Sequence, residues 1–218
     1  MTPEEDGGPG SPHRAGFVAF VGRPNAGKST LTNALVGEKV VITSSKPQTT
    51  RRVVRGIVTR PDYQLVLLDT PGLHRPRTLL GERLNDEVRA AWAQVDVVGL
   101  CLPADEKIGP GDRFIAKELA ALGRVPKVAV VTKTDRVGRD RVAEALMAAA
   151  GLGRDEGIDW AEVVPVSAVA GDQVELLTGL LAALMPESPP LYPDGELTAG
   201  SARAPASRSS RSRRSPAR

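Results

Sequence analysis

Short apolar runs alternate with amphipathic segments between residues 17 and 185. The apolar runs predict six strands: Phe17–Val21, Val53–Thr59, Gln64–Asp69, Val95–Leu102, Lys127–Thr132 and Glu162–Val166. The segments between them predict five helices: Lys28–Val36, Leu79–Gln94, Gly111–Leu122, Arg139–Ala150 and Gly171–Met185. This alternation predicts an α/β fold, in which helices cover both faces of a mostly parallel sheet of six strands.

One connection departs from the alternation. The second and third predicted strands are joined only by the segment Arg60 to Tyr63. Because a parallel crossover needs a dozen residues or more, these two strands should form an antiparallel hairpin. We therefore predict a mixed sheet with one antiparallel edge strand.

A glycine-rich segment follows the first predicted strand and opens the first helix. It reads Gly22-Arg23-Pro24-Asn25-Ala26-Gly27-Lys28-Ser29 and fits G-x-x-x-x-G-K-[ST], the phosphate-binding loop of nucleoside triphosphatases. The two glycines let successive N–H groups point at phosphate oxygens, and the helix N-terminus adds partial positive charge. We expect Lys28 to reach the β- and γ-phosphates and Ser29 to place its hydroxyl on Mg²⁺. The alternative is an ordinary glycine-rich turn.

The third predicted strand ends in Asp69-Thr70-Pro71-Gly72. An aspartate at this end of a strand can reach the magnesium shell through water, and the Gly72 N–H can bind the γ-phosphate. Taken alone, the four residues indicate only a turn. Their position at the end of a strand that follows the phosphate loop favours a γ-phosphate sensor.

The polar loop Lys46–Arg52 contains two threonines. One of them can close on Mg²⁺ and the γ-phosphate, so that the loop orders with triphosphate and loosens with diphosphate. We favour Thr50 over Thr49 for this role. The alternative is an ordinary polar loop.

The fifth predicted strand ends in Thr132-Lys133-Thr134-Asp135. Asp135 can accept hydrogen bonds from guanine N1–H and the 2-amino group, a pair of donors that adenine lacks. A base that lacks these donors would leave the carboxylate without hydrogen bonds, and this makes binding of that base unfavourable. The Lys133 stem would lie along the base. After the sixth strand comes Ser167-Ala168, where the Ala168 N–H can meet guanine O6.

The order of these elements resembles the GTPases of the translation-factor class from Gly16 to Met185. Four segments resemble the bacterial Era GTPase family more closely: G-R-P-N-A-G-K-S, V-V-I-T-S-S-K-P-Q-T-T-R, L-D-T-P-G-L-H and P-P-L-Y-P-D-G-E-L-T. The last one is similar to the linker that leads from the Era GTPase domain to its RNA-binding KH domain. The resemblance implies the GTPase-domain form of the P-loop NTPase fold.

The resemblance also implies function. It implies a monomeric, Mg²⁺-dependent GTPase of the cytoplasm that binds GTP and GDP, binds 16S rRNA and acts in biogenesis of the 30S ribosomal subunit, with peripheral contact to the cytoplasmic face of the cell membrane. It carries catalytic roles to Lys28, Thr50, Asp69 and Gly72, and metal binding to Ser29, Thr50 and Asp69. It implies a nucleotide site made of Gly22, Arg23, Pro24, Asn25, Ala26, Gly27, Lys28, Ser29, Thr30, Asp69, Thr70, Pro71, Gly72, Leu73, Thr132, Lys133, Thr134, Asp135, Ser167 and Ala168.

Three positions bear on base affinity and on the rate of hydrolysis. Thr132 stands where these proteins usually have asparagine, which predicts weaker base affinity. Leu73 follows the D-T-P-G turn where many small GTPases have a water-orienting glutamine, so we expect slow hydrolysis unless the water is positioned otherwise. Asn25 resembles the asparagine of GTPases that recruit K⁺, which suggests potassium-stimulated turnover.

Arginines near the C-terminus change the meaning of the net charge of +3. Residues 198–218 hold six arginines and no acidic residue, so residues 1–197 carry a net charge of −3. We expect a disordered extension over 1–15, a GTPase domain over 16–186, a linker over 187–197 and a disordered tail over 198–218, with no KH domain. We favour a frameshift or truncation as the origin of the tail; a genuine basic tail that binds RNA phosphates is the alternative.

Composition limits the classes of protein to which this chain can belong. Cys101 is the single cysteine, which excludes an intramolecular disulfide, and it should be a buried apolar residue. No apolar run reaches the length of a membrane span, and residues 1–16 lack the features of a signal peptide. Two rival functions remain: another P-loop enzyme, such as an ATPase or small-molecule kinase, and a nucleotide-gated interaction module with little hydrolysis.

Overall fold

The computed structural model describes residues 12–37, 53–69 and 89–193. Within these ranges the strands are β1 (Arg14–Val21), β2 (Val53–Thr59), β3 (Tyr63–Asp69), β4 (Val97–Pro103), β5 (Lys127–Thr132) and β6 (Trp160–Pro165). The α-helices are α1 (Lys28–Val36), α2 (Pro110–Ala120), α3 (Arg139–Glu156) and α4 (Val174–Ala183). A 3₁₀ helix covers Thr134–Arg136, and residues 89–92 are also helical. The predicted α/β class is confirmed.

The strands form one sheet in the order β2-β3-β1-β4-β5-β6. β1 pairs in parallel with β3 and β4, and β5 pairs in parallel with β4 and β6. β2 pairs antiparallel with β3 at the edge, so the predicted hairpin and mixed sheet are confirmed. The strand order leaves β1 between β3 and β4, and the crevice beyond the carboxyl ends of such strands is where open α/β sheets bind ligands.

Helices cover both faces of the sheet, as predicted. On one face α1 and α4 pack apolar side chains against the strands, and on the other face α2, α3 and the helical turn at 89–92 pack theirs. The fully or almost fully buried anchors are Leu31, Leu35, Leu177 and Leu181 on the first face and Trp92, Ile115, Leu119 and Leu152 on the second. Burial of these apolar side chains supplies the main force that holds the helices in place.

Several predicted boundaries were wrong. β1 begins at Arg14 rather than Phe17, because Arg14 and Ala15 already pair with β3, so the expected disordered extension does not include them. α3 continues six residues beyond Ala150, and Gly153 lets this extension pack directly against the Trp160 indole, which donates a hydrogen bond to the Ala149 carbonyl (3.0 Å). The predicted helix over 79–94 lies mostly outside the described residues.

The helix α4 also starts later than predicted, at Val174. Gly171 and Gln173 have positive φ angles of 80° and 60°. These left-handed residues form a turn that cannot belong to an α-helix, and Gln173 occupies the N-cap position of α4. The turn matters for the site because it follows directly after the Ser167-Ala168 segment.

The chain after α4 folds back onto the amino-terminal edge of the sheet. Gln64 in β3 is 1% exposed, and its side-chain oxygen accepts hydrogen bonds from the N–H groups of Leu191 (2.8 Å) and Tyr192 (2.9 Å). Its Nε2 donates to the Tyr192 carbonyl (2.9 Å). The Arg14 guanidinium donates to the Met185 carbonyl (2.7 Å). The first part of the expected linker, residues 187–193, therefore lies against the sheet.

None of the described helices combines the length and the apolar character that a membrane crossing needs.

Candidate functional site

The segment between β1 and α1 forms a tight curl. Gly22 and Gly27 have φ angles of 147° and 89°, and Asn25 between them also has a positive φ of 63°. A β-carbon at Gly22 would lie 2.8 Å from the carbonyl oxygen of Cys101, so a side chain does not fit there. The backbone thus takes the shape that a phosphate loop requires.

Two features give this curl a positive character. The Lys28 ammonium donates hydrogen bonds to the carbonyl oxygens of Gly22 (2.8 Å) and Arg23 (2.7 Å), which fold it back over the loop. The helix α1 begins at Lys28 with Gly27 as its N-cap, and neither a capping side chain nor an acidic residue satisfies its first turn. Its N–H groups and the positive end of its dipole are therefore suited to an anion.

A cavity of about 540 Å³ opens beside the loop. This volume falls within the usual range for small-molecule sites. It brings together three separate segments predicted from the sequence, and the described residues that line it are Asn25, Gly27, Lys28, Ser29, Thr30, Thr132, Lys133, Asp135, Arg136, Ala168 and Val169.

Asp135 lines this cavity, and a hydrogen bond from a buried side chain fixes its carboxylate. The Ser167 hydroxyl, which is fully buried, donates to Asp135 Oδ1 (2.6 Å) and accepts from the Ala170 N–H (3.0 Å). Ser167 therefore orients the carboxylate, while Ala168 next to it reaches the cavity wall. The structure thus brings Asp135, Ser167 and Ala168 together at one end of the cavity.

Thr132 has a role that the sequence analysis did not assign. Its hydroxyl is buried and donates to the Ala26 carbonyl (2.7 Å), so it ties the end of β5 to the phosphate loop. Because Gly27 lies directly over Thr132, the small side chain also fits the available space. The residue that looked like a defect in base recognition joins the two halves of the site.

Arg23 was expected to contact the nucleotide, but it is not among the described residues that line the cavity. Its guanidinium is bound to Asp112 (Nε to Oδ1, 2.8 Å) and Glu106 (3.1 Å to Oε2), on the side of α2. The hydrogen bond with Asp112 is the main reason why the pKa of Arg23 is raised above its ordinary value. Five other expected residues are also absent from the described lining of the cavity: Gly22, Pro24, Ala26, Thr134 and Ser167.

Several expected residues lie outside the described part of the chain. These are Thr50, Thr70, Pro71, Gly72 and Leu73. The backbone of Asp69 ends β3, but its side chain is not among those described. The expected magnesium and γ-phosphate contacts of these residues stay predictions.

The sequence analysis did not assign three residues that line the main cavity or a smaller one beside it. Arg136 and Val169 each follow a predicted site residue directly, and that adjacency was the available signal. Arg55 is the extra residue of a β-bulge between Val54 and Gly56, and it lines a small cavity of about 40 Å³ with Lys28 and Ser29. Bulges often redirect a side chain toward a functional site.

Comparison with known proteins places this geometry in a family. Residues 17–133 match the family model described as "50S ribosome-binding GTPase". GTPase Era of Streptomyces coelicolor is 69% identical over 186 residues, which are 85% of this chain and 59% of that protein. GTPase Era of a Nocardioides species is 69% identical over 191 residues, 88% of this chain and 61% of that protein. The chain thus spans about three fifths of the length of these curated relatives.

Two solved structures show the same fold. A crystal structure of Era in complex with MgGDPNP and nucleotides 1506–1542 of 16S ribosomal RNA matches with a TM-score of 0.69 and 33% identity, over 84% of this chain and 61% of that one. Aquifex aeolicus Era Y63A bound to GDP·AlF4⁻ matches with a TM-score of 0.67 and 32% identity, over 83% and 60%. The phosphate loop, the strand order and the extent of the family match lead to one conclusion: the chain belongs to the 50S ribosome-binding GTPase family and is homologous to the bacterial Era GTPases.

Proposed function

We propose that this chain binds GTP and GDP in the 540 Å³ cavity and hydrolyses GTP to GDP and phosphate. One observation carries the proposal: the phosphate loop with Lys28 and the carboxylate of Asp135 line the same cavity. The loop suits the phosphates, and the carboxylate suits the two donors on the edge of guanine. Family membership supports the same function.

Asp135 would select the base. Its carboxylate is fixed by the Ser167 hydroxyl at 2.6 Å, so a guanine meets an acceptor that is already oriented. An adenine would leave that acceptor without donors, and unpaired polar groups of this kind discriminate strongly between ligands. Lys133 and Ala168, which also line the cavity, would contact the plane and the O6 edge of the base.

Lys28 and the N-terminus of α1 would hold the phosphates. The attack of water on the γ-phosphorus breaks the bond to the β–γ bridging oxygen and leaves GDP and phosphate. The protein would contribute mainly positioning and charge neutralisation. Because Leu73 offers no group to orient the water, we expect an intrinsic rate on the order of 10⁻⁴ s⁻¹ in the absence of a further activator.

The residues present fit a magnesium ion. Ser29 lines the phosphate end of the cavity, and β3 pairs with β1 as far as Leu68, so Asp69 emerges at the same edge. Mg²⁺ prefers hard oxygen ligands and needs few from the protein when phosphates supply others. We infer that Ser29, Asp69 and Thr50 hold it. When bound, it would neutralise charge on the phosphate oxygens.

Asn25 suggests a second cation. It lines the cavity from the curl of the phosphate loop. We propose that K⁺ binds there and speeds hydrolysis. GTP turnover measured in equal concentrations of KCl and NaCl tests this; equal rates would reject it.

The cellular role rests on the relatives. We propose that the chain acts as a monomer with 16S rRNA in maturation of the 30S subunit, at the cytoplasmic face of the membrane, with residues 16–186 as its GTPase domain and 187–197 as linker. A solved Era structure contains an rRNA fragment and supports the RNA partner. Since this chain spans about three fifths of that protein, its affinity for the same fragment should be compared with that of Streptomyces coelicolor Era.

Binding of labelled GDP and ADP with Mg²⁺ tests the nucleotide assignment. The wild type should prefer GDP, and Asp135→Asn should lose most of this preference, while the exposed Asp159→Asn should retain it. Equal binding of ADP and GDP by the wild type would indicate another P-loop enzyme. Selective GDP binding without GTP turnover would favour a nucleotide-gated interaction module.

A further inference from the structure

Glu106 lies in the connection between β4 and α2 and contacts two loops of the site at once. Its Oε2 lies 3.1 Å from the Arg23 guanidinium in the phosphate loop. Its Oε1 lies 3.5 Å from the Lys133 ammonium in the segment Thr132-Lys133-Thr134-Asp135, here called the base-recognition loop. One carboxylate thus joins a cation that belongs to the phosphate half of the site to a cation that belongs to the base half.

Each of these cations also has an acidic partner of its own. Arg23 is bound by Asp112, whose buried carboxylate also accepts the Gly109 N–H (2.8 Å) at the start of α2. Lys133 lies 3.4 Å from Asp105, which also pairs with Arg136 (3.2 Å).

Asp112 therefore fastens the phosphate loop to α2, and Asp105 fastens the base-recognition loop to the end of β4. Glu106 contacts a cation of each loop and so spans both of them.

The backbone of one of these cations and the side chain of the other are conformationally restricted. Lys133 has a φ of 58°, an uncommon backbone conformation for a residue with a side chain, and such conformations persist where the surroundings determine them. Arg23 packs its stem so closely on Gly111 that a β-carbon there would lie 2.9 Å from Arg23 Cδ. Both residues are thus restrained by their surroundings.

We propose that Glu106 is a positioning residue that couples the phosphate loop to the base-recognition loop, so that guanine nucleotide affinity depends on a carboxylate outside the cavity lining. The inference rests on the proposed function. Its physical basis is preorganisation: long side chains that are already restrained lose less freedom when the ligand binds. Because Glu106 is 42% exposed, each ion pair is weak by itself, and the effect comes from the restraint of two loops together.

Glu106→Gln tests the proposal because it keeps the shape of the side chain and removes its charge. We expect the Kd for GDP to rise about threefold to tenfold, the scale of one or two partly exposed ion pairs. The preference for GDP over inosine diphosphate, which lacks the 2-amino group that Asp135 reads, should also fall. Glu187→Gln is the matched control, because Glu187 forms an exposed ion pair with Arg14 at the start of β1, at the opposite end of that strand from the phosphate loop; it should change neither quantity.

A second measurement separates positioning from simple stabilisation of the fold. In a Lys133→Met background, Glu106→Gln should no longer change the preference for GDP over inosine diphosphate, because the cation through which Glu106 reaches the base loop is gone. The same loss of preference in both backgrounds would overturn the proposal, as would an unchanged Kd for GDP in Glu106→Gln alone. A wild type that does not bind GDP selectively would overturn the proposed function along with it.

Discussion

At the scale of single residues, Gly22 leaves no room for a side chain. Its φ of 147° is rarely adopted by other residues, and a β-carbon would meet the carbonyl of Cys101 in β4 at 2.8 Å. We therefore predict that Gly22→Ala displaces the loop from its curl and weakens GDP binding about fivefold or more, because strain of this kind costs about 1–3 kcal/mol. Titration of labelled GDP measures it.

Gly138→Ala is the control for that experiment. Gly138 precedes α3 with a φ of −74°, and nothing lies within 4 Å of the position a β-carbon would take. It should leave GDP affinity unchanged. Equal affinities of the Gly22 and Gly138 variants would mean that the close contact with Cys101 does not determine the loop.

Thr132 allows a test of how the two halves of the site are joined. Thr132→Val keeps the shape of the side chain but removes the hydroxyl that donates to the Ala26 carbonyl. A buried acceptor without its donor costs about 1–3 kcal/mol, so both the free energy of unfolding and the affinity for GDP should fall. Denaturant unfolding and GDP titration measure the two effects.

The matched change is Thr178→Val in α4. The Thr178 hydroxyl is also buried, but it donates to the Val174 carbonyl within its own helix, and Thr178 does not line the cavity. GDP affinity should not change in this variant. A Thr132→Val protein that loses stability but binds GDP normally would show that the Ala26 contact serves the fold alone.

At the scale of elements, β3 runs from the end of the sheet that binds the chain after α4 to the end that holds the proposed nucleotide site. It ends at Asp69 near the proposed magnesium site and begins next to Gln64, which binds the segment after α4. Gln64→Ala should free the N–H groups of Leu191 and Tyr192, both of which donate to Gln64 Oε1. We predict that hydrogen exchange at these two amides becomes about threefold to tenfold faster, the scale of one or two lost hydrogen bonds.

Arg60→Gln is the control for the exchange measurement, because Arg60 is an exposed residue of the neighbouring hairpin turn. Exchange at Leu191 and Tyr192 should stay slow in that variant. Fast exchange at both amides already in the wild type would contradict a docked linker.

The elements show what periodicity can and cannot predict. The apolar runs predicted all six strands, and the short connection before Gln64 predicted the hairpin, because burial and chain length are local properties. The contact between Gln64 and Tyr192 was not predictable, since a glutamine near the start of a strand gives no sign of a partner 128 residues away. The same holds for Glu106, whose partners Arg23 and Lys133 come from two other segments.

At the scale of the whole molecule, Cys101 links stability to pH. Burial raises the pKa of its thiol to about 12, against 9.0 in the unfolded chain. The neutral thiol is thus favoured by folding, and this contribution is complete below pH 9 and is lost as the pH rises toward 12. We predict that the stability advantage of the wild type over Cys101→Ala falls by about 1.4 kcal/mol per pH unit in that window. Denaturant unfolding of both proteins at pH 8, 9 and 10 measures it. A difference in the free energy of unfolding that stays the same at all three pH values would contradict the assigned burial.

The same thiol reports on opening of the sheet. Cys101 is fully buried in β4, directly behind the phosphate loop, so a thiol reagent at pH 8 should react only after the strand becomes exposed. Because GDP binds the folded form, a concentration 100 times its Kd should slow the reaction about 100-fold, whereas ADP should not. Slowing by GDP would mean that exposure of β4 destroys the nucleotide site. Labelling that GDP does not affect would mean that β4 opens while the phosphate loop stays intact, and it would reject the close dependence of the loop on Cys101.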